Sequence, residues 1–277
     1  MLGAIVGDIV GSRFEFNNHR SKDFELFTDR SFVTDDSIMT LAVGKAIMET
    51  ARVLDREDPA FYPLLSKMAV KYMQGLGRPY PDSGFGGRFY DWIYRDDPQP
   101  YGSYGNGAAM RVSPVAFFAN SMEEIVHLSH AVTAVSHNHP QGIKGAEATA
   151  VAIFLARQGA SLAVIGRHIQ DHYYDLNVSL DEIRPVYQFN ETCQETVPQA
   201  IQAFLESKSF EDAIRNAISI GGDSDTIGAI TGAMAQAYYG IDDEIREKAL
   251  SYLDDRLLGL YHEWEAFMKK ARRDNYG

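Results

Sequence analysis

The chain has 277 residues, 45% of them hydrophobic, and a formal net charge of −12. That length is ample for a sizeable core in one large domain or two small ones. The acidic balance, with no Lys/Arg run to override it, argues against general affinity for nucleic acid or an anionic membrane surface, both of which need basic patches.

At the N-terminus, Met1 to Val6 has the apolar character of a signal segment. Asp8 interrupts it, no basic residues precede it and no cleavage site follows. No apolar run approaches the roughly 20 residues of a membrane span. The expectation is a soluble, cytoplasmic protein with no membrane partner. Helical spacing of apolar residues then dominates, and it predicts helices over 2–12, 36–53, 59–75, 86–94, 122–136, 141–158, 161–173, 195–206, 210–219, 225–239 and 242–271, the last with a break. Strand-like alternation is weak throughout, and neither a low-complexity linker nor an internal repeat appears. One all-α domain over 1–277 is the simplest reading. The single Cys193 excludes an intramolecular disulfide framework and a cysteine-based zinc site, and reads as a small core residue.

Small residues follow a pattern of their own. Gly3, Gly7 and Gly11 recur every fourth residue, as do Gly228 and Gly232. On a helix that spacing lies on one face. In a segment too short to span a membrane, it predicts helices crossing backbone to backbone in the core. Asp8, Glu15 and Asp225 would be held rigidly on or beside those helices.

Two clusters of oxygen side chains carry the chemistry. Gly221-Gly222-Asp223-Ser224-Asp225-Thr226 places a bend before a helix start. A cap needs one Asp or Ser, and four consecutive oxygen side chains exceed that need. Upstream, Thr34-Asp35-Asp36-Ser37 also precedes a helical run. Adjacent carboxylates repel unless a cation lies between them. Together the clusters supply hard oxygen ligands suited to one or two divalent cations such as Mg²⁺ or Mn²⁺. Glu15, between Phe14 and Phe16, is either a partly desolvated carboxylate suited to proton transfer or a surface residue near a helix end.

The glycine-rich run from Tyr101 to Arg111 leads into a short helix and can offer backbone N–H groups to a phosphate, although it matches neither a P-loop nor a dinucleotide fingerprint. Arg111 reads equally as a phosphate ligand or a structural ion-pair partner. His137 and His139 lack the third histidine or cysteine of a zinc site. His137 is expected to hydrogen-bond at the pocket and His139 to stand at a helix start. No Gly-x-Ser-x-Gly elbow supports serine-triad chemistry.

Taken in order, these motifs resemble the ADP-ribosylglycohydrolase family, the group that includes the dinitrogenase-reductase-activating glycohydrolase and the serine-ADP-ribose hydrolases. The resemblance runs from Gly3 to about Gly240. It rests on Gly7-Asp8 with Gly11, Thr34-Asp35-Asp36, the loop from Gly102 to Arg111, Ser136-His137 with Gly142 and Gly145, and Gly221 to Gly228. It implies a single compact orthogonal helical bundle around a binuclear Mg²⁺ (or Mn²⁺) centre. Thr34, Asp35, Asp36, Asp223, Asp225 and Thr226 would be the metal ligands. Gly102, Ser103, Tyr104 and His137 would bind substrate. Glu15, with the metal-ligand carboxylates Asp36 and Asp225, would carry the proton chemistry, with Asp82 in reserve. Ser83-Gly84-Phe85-Gly86 looks like a further substrate loop, with Phe85 where a tyrosine is common. The implied activity is hydrolysis at C1″ of an ADP-ribosyl group on a protein or small molecule. A catalytically silent ADP-ribose binder on the same scaffold is the alternative, and the complete ligand set favours an enzyme. A nucleotide phosphohydrolase would normally bring His–Asp ligand pairs, which are lacking here.

Overall fold

The first helix, α1 (Leu2–Gly11), is buried along its whole length. This is the computed structural model of the chain, and it describes residues 1–276; Gly277, the last residue of the predicted 1–277 domain, lies outside the described residues. The glycine spacing explains how α1 fits into the core. A Cβ at Gly3 would lie 2.0 Å from the carbonyl oxygen of Gly232, and one at Gly7 would lie 1.9 Å from that of Gly228. One at Gly11 would meet the Ser224 carbonyl oxygen at 2.4 Å. Gly3, Gly7 and Gly11 thus pair in descending order with Gly232, Gly228 and Ser224, so α1 runs antiparallel to α13 (Ser224–Tyr239) with backbones in contact. Gln236 closes the far end, its Oε1 accepting from Gly3 N at 2.8 Å and from the N-terminal amine at 3.0 Å.

The remaining helices pack around this pair. In chain order they are α2 (Asp35–Ala51), α3 (Phe61–Gly77), α4 (Gly87–Tyr94), α5 (Gly107–Met110), α6 (Ser113–Phe118), α7 (Met122–Thr133), α8 (Pro140–Arg157), α9 (Leu162–His172), α10 (Leu180–Ile183), α11 (Cys193–Leu205) and α12 (Phe210–Ser219), with α14 (Asp243–Leu250) and α15 (Asp255–Tyr276) after α13. The all-α bundle is therefore observed, and the only β feature among the described residues is an isolated bridge between Gly105 and Thr192. None of the described helices is long and apolar enough to cross a membrane.

Several predicted boundaries shift. The stretch predicted as helix 122–136 ends at Thr133, while the break expected in the last predicted helix is present, between Leu250 and Asp255. Two short helices, α6 and α10, were not predicted: one starts with Pro114 inside its first turn, and the other is a single turn held by the Ser179–Glu182 capping box. Cys193 is fully buried, with its Sγ donating to Gly105 O at 3.2 Å.

Candidate active site

The antiparallel seam delivers the C-terminal end of α1, the N-terminus of α13 and, through Asp8, the N-terminus of α2 to one place. Asp8 is fully buried on α1 and accepts four hydrogen bonds from the start of α2: from Thr34 N (3.1 Å), Thr34 Oγ1 (2.6 Å), Ser37 N (3.1 Å) and the Ser37 hydroxyl. Asp36 N goes to Thr34 Oγ1 at 3.3 Å. Capping of α2 is thus done by Thr34 and by a carboxylate from another helix, which leaves the side chains of Asp35 and Asp36 free for other work.

The same holds at α13. Asp223 occupies the N-cap position, yet its side chain makes no capping bond. Its Oδ2 instead accepts from Asn106 Nδ2 at 2.6 Å. Gly221 and Gly222 have φ of +74° and +76°, a backbone that favours glycine and turns the chain so that Asp223 faces inward. Thr226 Oγ1 donates to Asp36 Oδ2 at 3.2 Å and so ties α13 to α2.

These ends open into a cleft of about 390 Å³ whose walls include Glu15, Asp35, Asp36, Ser103, Tyr104, His137, Asp223, Asp225 and Thr226. Ligand oxygens of Glu15, Asp223 and Asp225 lie within 4.8 Å of one another. Of the residues singled out in the sequence, Thr34 and Gly102 are not among those lining the cleft, and Asp82 is exposed outside it. The Thr34 hydroxyl is turned to Asp8, while Gly102 N donates to Asn138 Oδ1 at 2.7 Å and sets the loop behind the wall. The Ser83–Gly86 loop packs on Asp35: Ser83 O accepts from Asp35 N at 2.8 Å, and a Cβ on Gly84 would lie 3.1 Å from Asp35 Oδ1.

The electrostatics are severe. Burial first, and then the charge of Asp225, push Asp35, Asp36 and Asp223 well above the ordinary carboxylate range. The same two causes, opposed by hydrogen bonds from Ser37 and Thr34, raise Asp8 to about 7. Glu15 is raised to about 8 by burial, then by Asp225, Glu191 and Asp8. Asp225 is raised by burial against the hydrogen bonds it receives. Asp36 Oδ1 is buried with no hydrogen-bond partner. A hard divalent cation fits this set: it would neutralise the repelling carboxylates and take up the orphaned oxygen.

The opposite wall carries His137 and two arginines, Arg88 and Arg111. His137 is buried, and burial, then Arg111 and Arg88, hold its pKa well below the usual value, so it stands neutral at pH 7. The Gly105–Thr192 bridge, with Asn106 N donating to Glu191 O (2.8 Å) and Cys193 N to Tyr104 O (2.9 Å), pins the glycine-rich loop to the segment before α11. Asp8, Asn106 and Glu191 are contributors that sequence reasoning did not assign to the site. Asp8 had a signal as a lone acid between Gly7 and Gly11, and Asn106 lies in the glycine-rich run already singled out, whereas Glu191 had none.

The scaffold is all-helical and gathers carboxylates at helix starts, opposite a glycine-rich loop, in an arrangement that could hold a metal ion. The chain belongs to the ADP-ribosylglycohydrolase family, whose profile matches residues 1–274. It is 27% identical to the ADP-ribosylhydrolase ARH3 of Homo sapiens, covering 87% of this chain and 85% of that protein. It is 26% identical to the ADP-ribosyl-[dinitrogen reductase] glycohydrolase of Rhodospirillum rubrum, covering 91% and 88%. The ADP-ribosylarginine hydrolase Tri1 of Pseudomonas putida (strain GB-1) is 27% identical, with 87% and 70% covered. A solved structure titled an ADP-ribosylglycohydrolase-related protein complex shares the fold, with a TM-score of 0.67 at 22% identity over 98% of this chain and 96% of that one.

Proposed function

We propose that the protein is a divalent-metal-dependent hydrolase that cleaves the bond at C1″ of ADP-ribosyl groups and releases ADP-ribose from a modified protein or a small molecule. The observation that carries this reading is the gathering of Asp35, Asp36, Asp223, Asp225, Thr226 and Glu15 at one cleft, with Asp36 Oδ1 left unpaired. Family membership, and relatives named for ADP-ribosyl hydrolysis on different acceptors, support the reaction class.

Asp35, Asp36, Asp223, Asp225 and Thr226, with Thr34 behind them, would hold two Mg²⁺ or Mn²⁺ ions. Bound there, the ions supply Lewis acidity and a fixed point of attachment for the sugar hydroxyls. The protein does the rest. Water adds to C1″, its proton passes to a carboxylate, and the departing atom regains one. Glu15 is the residue for that proton, because it lines the cleft beside Asp223 and Asp225 whereas Asp82 does not. Asp36 and Asp225 face the positive charge that develops on the sugar ring as the bond breaks. Ser103, Tyr104 and His137 line the wall where the remainder of the ligand would lie, and Gly102 shapes the loop that carries them.

The test is release of free ADP-ribose, with and without Mg²⁺, from serine-, arginine- and O-acetyl-linked substrates. Metal-dependent release from one of them supports the reading and identifies the bond. Binding of ADP-ribose by calorimetry without release from any of them replaces it with a binding protein on the same scaffold. Release of inorganic phosphate would point to a phosphohydrolase.

A further inference from the structure

Glycine serves two ends in this fold. In the seam of α1 and α13 it lets backbones touch. Gly75 in α3 and Gly259 in α15 have no such reason: a Cβ on either would meet nothing within 4 Å, and neither has the positive φ that favours glycine. Glycine inside a helix costs stability relative to alanine. These two line one groove of about 500 Å³ between α3 and α15.

Both helices pack on α2, and no residue lining the groove also lines the cleft. Leu76, which is buried, and Tyr72 and Leu260, which are half-buried, give the groove its apolar surface. Arg256 crosses one end, its Nη2 donating from α15 to Gly75 O at 3.0 Å. Lys45 and Glu263 stand at the other, 2.9 Å apart. Glu263 is the one acid lining the groove among the described residues, and Lys45 and Arg52 already occupy it. Lys71 and Arg256 are both exposed, with no carboxylate within ion-pair distance among the described residues; the Lys71 ammonium lies 5.2 Å from the centre of the Tyr72 ring. In a chain of net charge −12, two unpaired cations beside an apolar groove are complementary to an anion with an apolar body.

Size decides between a small molecule and a protein partner. From Arg256 to Glu263 the groove follows two helical turns, ~10 Å. Its volume falls within the range of small-molecule sites, about 300–1,000 Å³, whereas a stable protein interface buries about 1,000 Å² or more. We propose that the groove binds a small amphipathic carboxylate, with its apolar body over Tyr72, Leu76 and Leu260 and its head group held by Lys71 and Arg256. The site stands apart from the reaction proposed above and does not depend on it.

The test is titration with octanoate, octan-1-ol and octylammonium, followed by the ¹H–¹⁵N amide resonances of Gly75 and Gly259. Saturable shifts are expected with octanoate, at an affinity at least about tenfold tighter than for octylammonium. Lys71→Gln combined with Arg256→Gln should weaken octanoate about tenfold, as for loss of hydrogen bonds to a charged group, and leave octan-1-ol unchanged. Gly259→Leu, whose side chain grows into open space, should fill the groove and remove binding of both. No saturable shift at Gly75 and Gly259, equal affinity for octanoate and octylammonium, or wild-type octanoate affinity in either variant would overturn the proposal. A wild-type dimer in sedimentation that Gly259→Leu converts to a monomer would assign the groove to a second copy of the chain, and overturn it as well. Should Gly259→Leu fail to fold, Gly75→Leu and the charge variants decide by the same readings.

Discussion

Helix α2 carries a cluster of charge at each end, and the two are opposite in kind. At its N-terminus, Asp35 and Asp36 meet Glu15, Asp223 and Asp225. All are acids, all line the cleft, and all are pushed toward their neutral forms by burial and by one another. In its last turns, Lys45 bridges Glu49 (2.8 Å) and Glu263 (2.9 Å), and Arg52 reaches Glu263 at 2.9 Å. Glu49 is held below its ordinary pKa chiefly by the hydrogen bond from Lys45, and in Glu263 the bonds from Lys45 and Arg52 outweigh the upward push of burial. The second cluster satisfies itself and needs no ligand. The first is held in place by backbone packing, with no Lys or Arg side chain paired to it among the described residues, and that is what the proposed metal site rests on.

Breaking the backbone support has the largest expected effect. In Gly7→Ala the new methyl carbon would sit 1.9 Å from Gly228 O, with backbone on both sides and no rotamer to escape to. Loss of at least about 3 kcal/mol, or of folding altogether, is expected in denaturant unfolding followed by circular dichroism. Gly75→Ala is the control: a Cβ there meets nothing within 4 Å inside α3, so a gain of up to about 1 kcal/mol is expected. A wild-type midpoint for Gly7→Ala would show that α1 and α13 can part without loss, and the seam would no longer explain how the acids are held.

Changing the charge without the backbone comes next. Asp225→Asn removes the carboxylate that raises most of the others. The metal-free variant should therefore be at least as stable as wild type. It should also lose metal-dependent turnover by about a hundredfold or more, together with the rise in melting temperature that Mg²⁺ or Mn²⁺ gives the wild type. Turnover and cation response equal to wild type would remove Asp225 from the cage. Glu15→Gln sharpens the division of labour among the acids. Turnover should fall about a hundredfold while ADP-ribose affinity changes by less than about threefold, and an unchanged rate would pass the proton to another carboxylate.

Much of this contrast could be read from the chain before folding. The double glycine before Asp223 and the consecutive acids after Thr34 announce a site, because local spacing alone places them at helix starts. The glycine period predicts a close crossing, but not that Gly7 meets Gly228 or that the helices run antiparallel. Asp8 as the cap of α2 depends on residues 26 and 29 positions away, and Asn106 holds Asp223 across 117 positions. No local pattern encodes such contacts. Nor does local sequence show that the Thr34 hydroxyl, placed among the acids, also donates to Asp8 on another helix. The single-turn helix α10 escaped notice because so short an element leaves almost no periodicity.

The smallest effect belongs to the self-satisfied cluster, and its sign follows from its depressed pKa values. A glutamate whose pKa is lower folded than unfolded adds stability above its unfolded pKa of about 4.3, and that stability fades as pH falls through the folded value. Glu49 and Glu263 are of this kind, and both are partly exposed, with side chains 25% and 31% accessible. Screening therefore limits each pair to about 0.5 kcal/mol. Glu263→Gln should cost no more than about 1 kcal/mol at pH 7 and nothing near pH 3, with the difference shrinking in 1 M salt, as read from urea midpoints across that pH range. A cost that grew on acidification would mean Glu263 is held by burial and not by Lys45 and Arg52. The two ends of α2 would then no longer differ in kind.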